Sequence, residues 1–235
     1  MKILSYGGGV NSTALLAMIK LGALSGVDCA VFADTGAEKQ ATYDYLDYIK
    51  DKSPIPIITV KSKEGSLWDY CEQRRILPMR FMRWCTDRWK KKPLSNWIKN
   101  SEVKITSQLI GIDYGEKSRL ARWASLERFE FPLMDKQYNR RDCEKLIKKV
   151  GWKLPVKSGC VFCPFANPRE FAELKVNEPE RFKQLCELEG KTLARFTEYQ
   201  AKGWFNPKYP LAELVSRKFP ATDPEQTNLC LYCMS

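Results

Sequence analysis

The sequence contains no histidine. That single absence excludes a Ser-His-Asp triad, a Cys-His dyad and any His-ligated zinc site. A metal site would have to be built mainly from cysteine and carboxylate. No window approaches 18 consecutive apolar residues, so no membrane-spanning helix is expected. The opening MKILSYGGGV meets a glycine run too early to hold a signal-peptide core, and a cytoplasmic protein without membrane partners is expected. The nine cysteines are an odd number, and in a reducing compartment they do not read as a disulfide framework. Internal repeats and low-complexity segments are absent.

What is present is a chain of 235 residues, enough for one domain or one domain with a substantial appendage. Lys and Arg number 39 against 28 Asp and Glu, a net charge of +11. The excess is uneven. Residues 72–95 hold Arg74, Arg75, Arg80, Arg83, Arg88, Lys90, Lys91 and Lys92 against only Glu72 and Asp87. Such a run is either a solvated face or, because Phe81, Trp84 and Trp89 interleave it, a contact surface for phosphate or nucleic acid.

The order of elements is that of an α/β protein. Lys2–Ser5 reads as a strand, Ala14–Ile19 as a helix, Val27–Ala33 as a strand buried on both faces, 37–51 as a helix and Ile55–Val60 as a third strand. This spacing predicts a doubly wound parallel sheet with right-handed crossovers. Residues 66–99 read as helical and basic, broken at Pro78 and Pro93. Lys104–Ile112 reads as a fourth strand, and Arg141–Val150 as a helix starting near a cap at Asn139. Residues 168–201 form a charged helical region, and the proline-bearing last 30 residues look irregular. The expected division is an α/β core over 1–135 and a Cys-bearing helical C-terminal region over 136–235.

The first chemical signal is Ser5-Tyr6-Gly7-Gly8-Gly9-Val10-Asn11-Ser12-Thr13, a strand, a glycine loop and a helix start. Glycines let backbone N–H groups converge, and the helix N-terminus adds partial positive charge, so the element can cradle phosphate. It lacks Gly-Lys-Ser/Thr and is not a Walker A loop; it lacks GxGxxG, which disfavours NAD or FAD. A second signal is the pair Cys160-x-x-Cys163 and Cys230-x-x-Cys233. Two CxxC clamps can together form a four-cysteine zinc or iron–sulfur site. Cys29 lies in an apolar strand, and Cys71 and Cys186 lie in helical patterns; all three read as structural.

SYGGGVNST resembles the pyrophosphate loop of the N-type ATP pyrophosphatase and sulfonucleotide reductase superfamily, with Asn11 where members usually carry Asp. The resemblance continues in order along the chain. Ala33-Asp34-Thr35-Gly36 resembles the D-T-G turn after the second strand. Arg83-Trp84-Cys85-Thr86 through Lys90, Lys92, Pro93 and Leu94 is similar to the C-T-x-x-x-K-x-x-P segment of reductase-like members. Gly111-Ile112 with Glu116 and Arg119 resembles their G-I-x-x-x-E-x-x-R segment, and Ser158-x-Cys160-Val161-Phe162-Cys163 their S-x-C-x-x-C element.

The resemblance implies an adenine-nucleotide fold with the nucleotide across the carboxyl ends of the strands. It implies phosphate contacts from Ser5, Gly7, Gly8, Gly9, Asn11 and Ser12, and Asp34, Thr35, Gly36 and Gly111 beside the nucleoside. Lys90 and Arg119 are its candidates for phosphate charge, and ATP with Mg2+ is its cofactor. Cluster-bearing members imply a [4Fe-4S] cluster on Cys85, Cys143, Cys160 and Cys163; structural Zn2+ on Cys160, Cys163, Cys230 and Cys233 is the alternative. In the first case Cys230 and Cys233 are left as a persulfide-carrying or resolving pair.

Three functions follow as expectations. One is an ATP-dependent sulfur transferase acting on nucleic acid, as in DNA phosphorothioation or tRNA thiolation, supplied by a persulfide donor such as a cysteine desulfurase. The second is a reductase that forms sulfite from an adenylyl sulfonucleotide; the missing E-C-G-L-H tail and the single Cys85 where cluster reductases carry a Cys-Cys pair count against it. The third is a nucleotide-binding subunit without activity, for which Asn11 is the warning residue.

Overall fold

The computed structural model describes residues 1–122, 128–198 and 201–218. In chain order the strands are β1 (Lys2–Tyr6), β2 (Cys29–Asp34), β3 (Ile57–Lys61), β4 (Ser107–Ile110) and β5 (Phe129–Glu130). The helices are α1 (Val10–Lys20), α2 (Gln40–Lys50), α3 (Leu67–Arg74), α4 (Trp84–Thr86), α5 (Lys92–Lys99), α6 (Pro132–Asp135), α7 (Arg140–Lys149), α8 (Pro168–Asn177), α9 (Pro179–Arg195) and α10 (Leu211–Lys218). A π-helical turn, Asp87–Lys91, joins α4 to α5, and a 3-10 turn spans Tyr114–Arg122. The chain forms two compact units: Met1–Leu67 with Trp84–Cys160, and Trp68–Arg83 with Val161–Ser235.

The first unit is built on a five-stranded sheet of order β3-β2-β1-β4-β5. Every pairing is parallel, for example Leu4 with Ala30 and Leu4 with Leu109. Strand alternation sends Leu4, Tyr6, Ala30 and Phe32 into one core with α1 and α7, where Leu15, Leu16 and Ile147 are fully buried. The intervening Ile3, Cys29 and Val31 face a second core with Leu94, Trp97 and Ile98 of α5. Two covered faces explain why β2 reads as an uninterrupted apolar run. The expected doubly wound α/β fold is therefore observed. β5, only two residues long, pairs with β4 and was too short to show a periodicity.

Pro93 does not break the helix as its position predicted. Proline cannot donate to the carbonyl four residues back. The chain widens instead: Lys92 N–H bonds to Asp87 O, a five-residue step, and the helix runs on from Trp84 to Lys99.

The second unit is helical. Asn167 caps α8, accepting from Glu170 N–H, and Glu170 reaches back to the Asn167 N–H. Phe171, Leu174, Phe182, Leu185 and Leu188 of α8 and α9 are buried with Leu211 and Leu214 of α10. The irregular C-terminal stretch expected from its prolines thus contains a helix up to Lys218. No helix among the described residues is long and apolar enough to cross a membrane.

Candidate active site

In an open parallel sheet, ligands bind where successive connections leave in opposite directions. Here that point lies between β1 and β4. The glycine loop leaves β1 there, and Gly111-Ile112-Asp113 leaves β4 beside it. The two segments touch closely. A Cβ on Gly111 would lie 2.9 Å from the Ser12 backbone nitrogen and 3.0 Å from the Asn11 carbonyl carbon. Only glycine lets β4's exit approach the start of α1 so nearly.

The loop itself is held by its own hydroxyl. Ser12 Oγ accepts from Gly7 N–H at 3.2 Å and donates to Gly9 O at 3.1 Å. Gly8 has φ +72°, a left-handed conformation that favours glycine, and a Cβ there would press on Thr42. A Cβ on Gly9 would stand 3.1 Å from Ser158 Oγ. α1 starts at Val10 with no side-chain cap on its N-terminus. Backbone N–H groups of a helix start beside a tight glycine loop form an anion cradle. Ser5 lies below it, its hydroxyl accepting from Gln108 Nε2 at 2.6 Å.

Asn11 donates to two carboxylates, Asp113 Oδ2 and Glu116 Oε2, each at 3.1 Å. Its own Oδ1 is buried with no hydrogen-bond partner. Asp in place of Asn11 would set three carboxylates against one another. The amide is thus the chemistry that the neighbouring acids require. Arg119, a candidate phosphate cation, binds Glu116 Oε1 at 2.6 Å and is half exposed.

The D-T-G turn after β2 is pinned by its own side chains. Asp34 Oδ1 accepts from Gly36 N–H and from Tyr43 OH, both at 2.8 Å, and Lys61 pairs with Oδ2 at 3.5 Å. Burial, with the Asp34 contact behind it, pushes the Tyr43 hydroxyl upward, so it stays a donor. Gly36, at φ +71°, would clash with Ser66 if it carried a Cβ.

Next to this turn lies a polar cluster centred on Glu38, which sequence reasoning missed. Glu38 is only 3% exposed. Its Oε1 accepts from Thr35 Oγ1 at 3.1 Å and pairs with Lys90 Nζ at 3.0 Å. Cys160 Sγ lies 3.5 Å from the same oxygen and 3.3 Å from Thr35 Oγ1. Residues 38 and 160 also form a backbone bridge, and Lys39 N–H bonds to Gly159 O. Lys90, on the π-helical turn, therefore reaches the carboxyl edge of β2. Its partner could have been suspected from Ala33-Asp34-Thr35-Gly36-Ala37-Glu38, an acid four residues beyond the first. The other overlooked groups are Gln108, Asp113, Tyr43 and Ser158. Each stood inside or next to a motif, without a spacing that marked it.

The basic, aromatic run is neither wholly a solvated face nor wholly a contact surface. Trp89 is fully buried and donates from Nε1 to Gly65 O at 2.9 Å; it is core, not a stacking surface. Trp84 packs edge-on against it at 5.9 Å. Arg88 lies 4.9 Å over the Trp89 ring and pairs through two nitrogens with Glu64, which it holds below the ordinary carboxylate range. Of the three aromatics, Phe81 is the exposed one, at 77%.

The cysteines do not assemble a metal centre among the described residues. No group of three or more Cys, Asp or Glu side chains there is placed to hold a metal ion. Cys143 is fully buried in the apolar core of α1 and α7, and burial pushes its thiol up to about 12. A thiolate ligand is disfavoured in such surroundings. The expected set of Cys85, Cys143, Cys160 and Cys163 therefore does not fit a [4Fe-4S] cluster as described, and no chemical step below runs through one. Cys85 lies in α4 and Cys160 in the Glu38 cluster, both half-buried, and Cys163 belongs to the helical unit. Cys230 and Cys233 lie outside the described residues. Cys29 and Cys71 are buried and Cys186 is half-buried.

Two uncharacterised proteins of Methanocaldococcus jannaschii are similar to this chain. One is 26% identical over 171 residues, 67% of this chain and 40% of that protein. The other is 24% identical over 225 residues, 86% of this chain and 44% of that protein. The chain thus spans less than half the length of these curated relatives. The solved structure of phosphoadenylyl-sulfate (PAPS) reductase from Candida auris, in a phosphate complex, shares the fold at a TM-score of 0.50. Its sequence identity is 16%, over 66% of this chain and 74% of that one. The family model of the phosphoadenosine phosphosulfate reductase domain matches residues 2–122, from β1 through the glycine loop to the turn that carries Glu116 and Arg119. With more than half of its residues in that match, the chain belongs to the phosphoadenosine phosphosulfate reductase domain family.

Proposed function

We propose that the chain binds ATP with Mg2+ in the glycine-loop cradle, adenylylates an oxygen of a nucleic acid, and passes sulfur to the activated position. The observation that carries this reading is the pair Asp113 and Glu116, held by Asn11 beside the phosphate cradle. Carboxylates next to a bare anion are repulsive. ATP arrives with a divalent cation that reverses that sign, whereas a sulfonucleotide bound without metal would be better served by cations alone.

In this reading the N–H groups of Gly8, Gly9 and the α1 start hold phosphate oxygens, while Ser12, accepting from Gly7 N–H, keeps the loop in shape. The acceptor oxygen attacks the α-phosphorus and pyrophosphate leaves. Such transfer depends on positioning and charge neutralisation, which suits a chain without histidine. Lys90 and Arg119 supply mobile charge, each now paired with a carboxylate that a phosphate would compete with. A persulfide sulfur on Cys230 or Cys233 then attacks the adenylylated position and AMP leaves. The second cysteine resolves the mixed disulfide, and an external thiol reduces the resulting pair.

The rival reading, a sulfonucleotide reductase, is favoured by the family to which the chain belongs. The two are separated by incubating the full chain, in parallel, with labelled ATP and Mg2+ plus tRNA or plasmid DNA, and with adenylyl or phosphoadenylyl sulfate plus thiol. Pyrophosphate and AMP without sulfite are expected. Sulfite from the second incubation overturns the transferase. Nucleotide binding without turnover in either assigns a binding subunit.

A further inference from the structure

The helical unit carries a groove that the nucleotide chemistry does not use. Its floor is apolar: Trp204, Phe171 and Leu214 line it and are buried. Trp204 is locked there by its indole N–H, which donates to Pro78 O at 3.1 Å. The rim differs from a core in two ways. Phe81 and Phe165 stand on it with 77% and 52% of their surfaces exposed, and Met82 next to Phe81 is 50% exposed. Arg80 also lies on the rim; its Nε donates to Pro164 O at 2.6 Å, and its guanidinium lies 6.0 Å from the centre of the Phe165 ring. Arg83 lies 5.3 Å from the same ring. The cavity measures about 500 Å3, and among the described residues no carboxylate lines it. That volume falls in the range of about 300–1,000 Å3 that small ligands occupy.

An exposed aromatic ring costs solubility, and two on one rim, with arginines across Phe165, constitute a surface awaiting a partner. The occupant must be planar and apolar on one side, and anionic on the other. A peptide of apolar residues would meet the rings but would strip water from two guanidinium groups without compensating them. A base with its phosphate meets both. Duplex DNA hides its base faces in the stack, so the rings would reach only unstacked bases. A second cavity in the same unit is lined by Arg74, Arg75, Lys191 and Arg195, with Lys191 paired to Glu72 at 3.3 Å; its Arg75 stands three residues before Pro78 in the chain. Its three arginines add to the positive charge of this unit.

From these features we infer that the groove between Pro78–Arg83 and the Pro164–Pro168 segment binds single-stranded nucleic acid. Phe81 and Phe165 stack unpaired bases, and Arg80 and Arg83 meet the phosphates. The inference deepens the proposed function by naming the form in which a nucleic-acid acceptor is presented. Its role in the reaction rests on that reading; the binding itself does not.

The test is fluorescence anisotropy of the full chain, without ATP, against a labelled oligothymidylate of about 20 nucleotides, its duplex and the same strand at rising salt. The single strand should bind at least about tenfold more tightly than the duplex. Phe81→Ala and Phe165→Ala should each weaken single-strand binding by about tenfold at an unchanged salt slope. Arg80→Ala with Arg83→Ala should flatten the slope of log K against log salt by about 1.4. Phe81 is too exposed for its loss to unfold the unit, and circular dichroism melts of each variant check this. Equal binding of strand and duplex, or Phe variants that bind like the parent, overturns the inference. So does displacement by a Trp- and Leu-rich peptide but not by oligothymidylate, which would assign the groove to a protein segment. Pyrophosphate release without strand binding sinks the inference alone; strand binding without pyrophosphate release sinks the proposed function alone.

Discussion

Asn11 shows how one side chain changes the reading of a motif. As a departure from Asp in the resembling family, it looked like a sign of lost activity. In the folded unit its amide holds Asp113 and Glu116 at 3.1 Å each, contacts that a third carboxylate would abolish. The side chain is therefore matched to its surroundings. Gly111 makes the complementary point, because its importance is steric. Gly111→Ala places a methyl 2.9 Å from a backbone nitrogen that cannot rotate away. Overpacking of this kind costs about 1–3 kcal/mol. It should also displace the loop, so that ATP affinity measured by calorimetry falls by at least about tenfold while the protein still folds. A variant that binds ATP like the parent would remove the glycine contact from the site.

At the scale of elements, two helices are set by single buried groups. The π-helical turn Asp87–Lys91 arises because Pro93 has no N–H to give, and the extra residue brings Lys90 round to Glu38. In the helical unit, Glu189 of α9 performs a similar service for α10. It is 2% exposed and accepts from Trp204 N–H at 2.8 Å and from Leu211 N–H, the first residue of α10, at 2.7 Å. Glu189→Ala leaves both donors buried and unpaired, a loss of about 2–4 kcal/mol that a urea titration reads directly. Glu189→Gln, which keeps an acceptor, should recover part of it. Burial raises the Glu189 carboxyl above its ordinary value of 4.5. The folded state therefore holds its proton to higher pH than the unfolded chain does. This contribution is fully present below 4.5 and is lost as pH climbs through the folded value. The urea midpoint should show that fall in the parent, and Glu189→Gln should lack it.

Over the whole molecule, the charge of +11 does several kinds of work. Lys90, Arg88 and Arg119 are paired with Glu38, Glu64 and Glu116 in the α/β unit. Arg74, Arg75, Arg80 and Arg83 belong to the helical unit, lining cavities or beside an exposed ring. A run that is continuous along the chain is thus divided between two units and two tasks. A ligand that binds only the folded state stabilises it by about 2.7 kcal/mol at a hundred times its Kd. For a chain of this length that is a rise in Tm of about 5–10 °C with ATP and Mg2+. The rise should shrink when a chelator removes the metal, because Asp113 and Glu116 would then face an uncompensated polyphosphate. An equal rise with and without Mg2+ would remove the carboxylates from nucleotide binding.

The sequence by itself determined the fold class and the place of the cradle. Strand runs, helix caps and the glycine loop are local features, and local sterics and periodicity specify them without reference to distant residues. It also marked Asn139 as a cap, and Asn139 caps α7 by a capping box. What only the tertiary structure decided is which side chains meet. Glu38 reaches Lys90 across 52 residues and Cys160 across 122, and Asn11 reaches Asp113 across 102. Trp89 looked like a stacking ring and is core, while Cys143 looked like a ligand and is packed in apolar surroundings. Spacing along a chain limits which residues share a turn or a face. Burial and long-range pairing depend on how the faces close on one another, and no local signal carries that information.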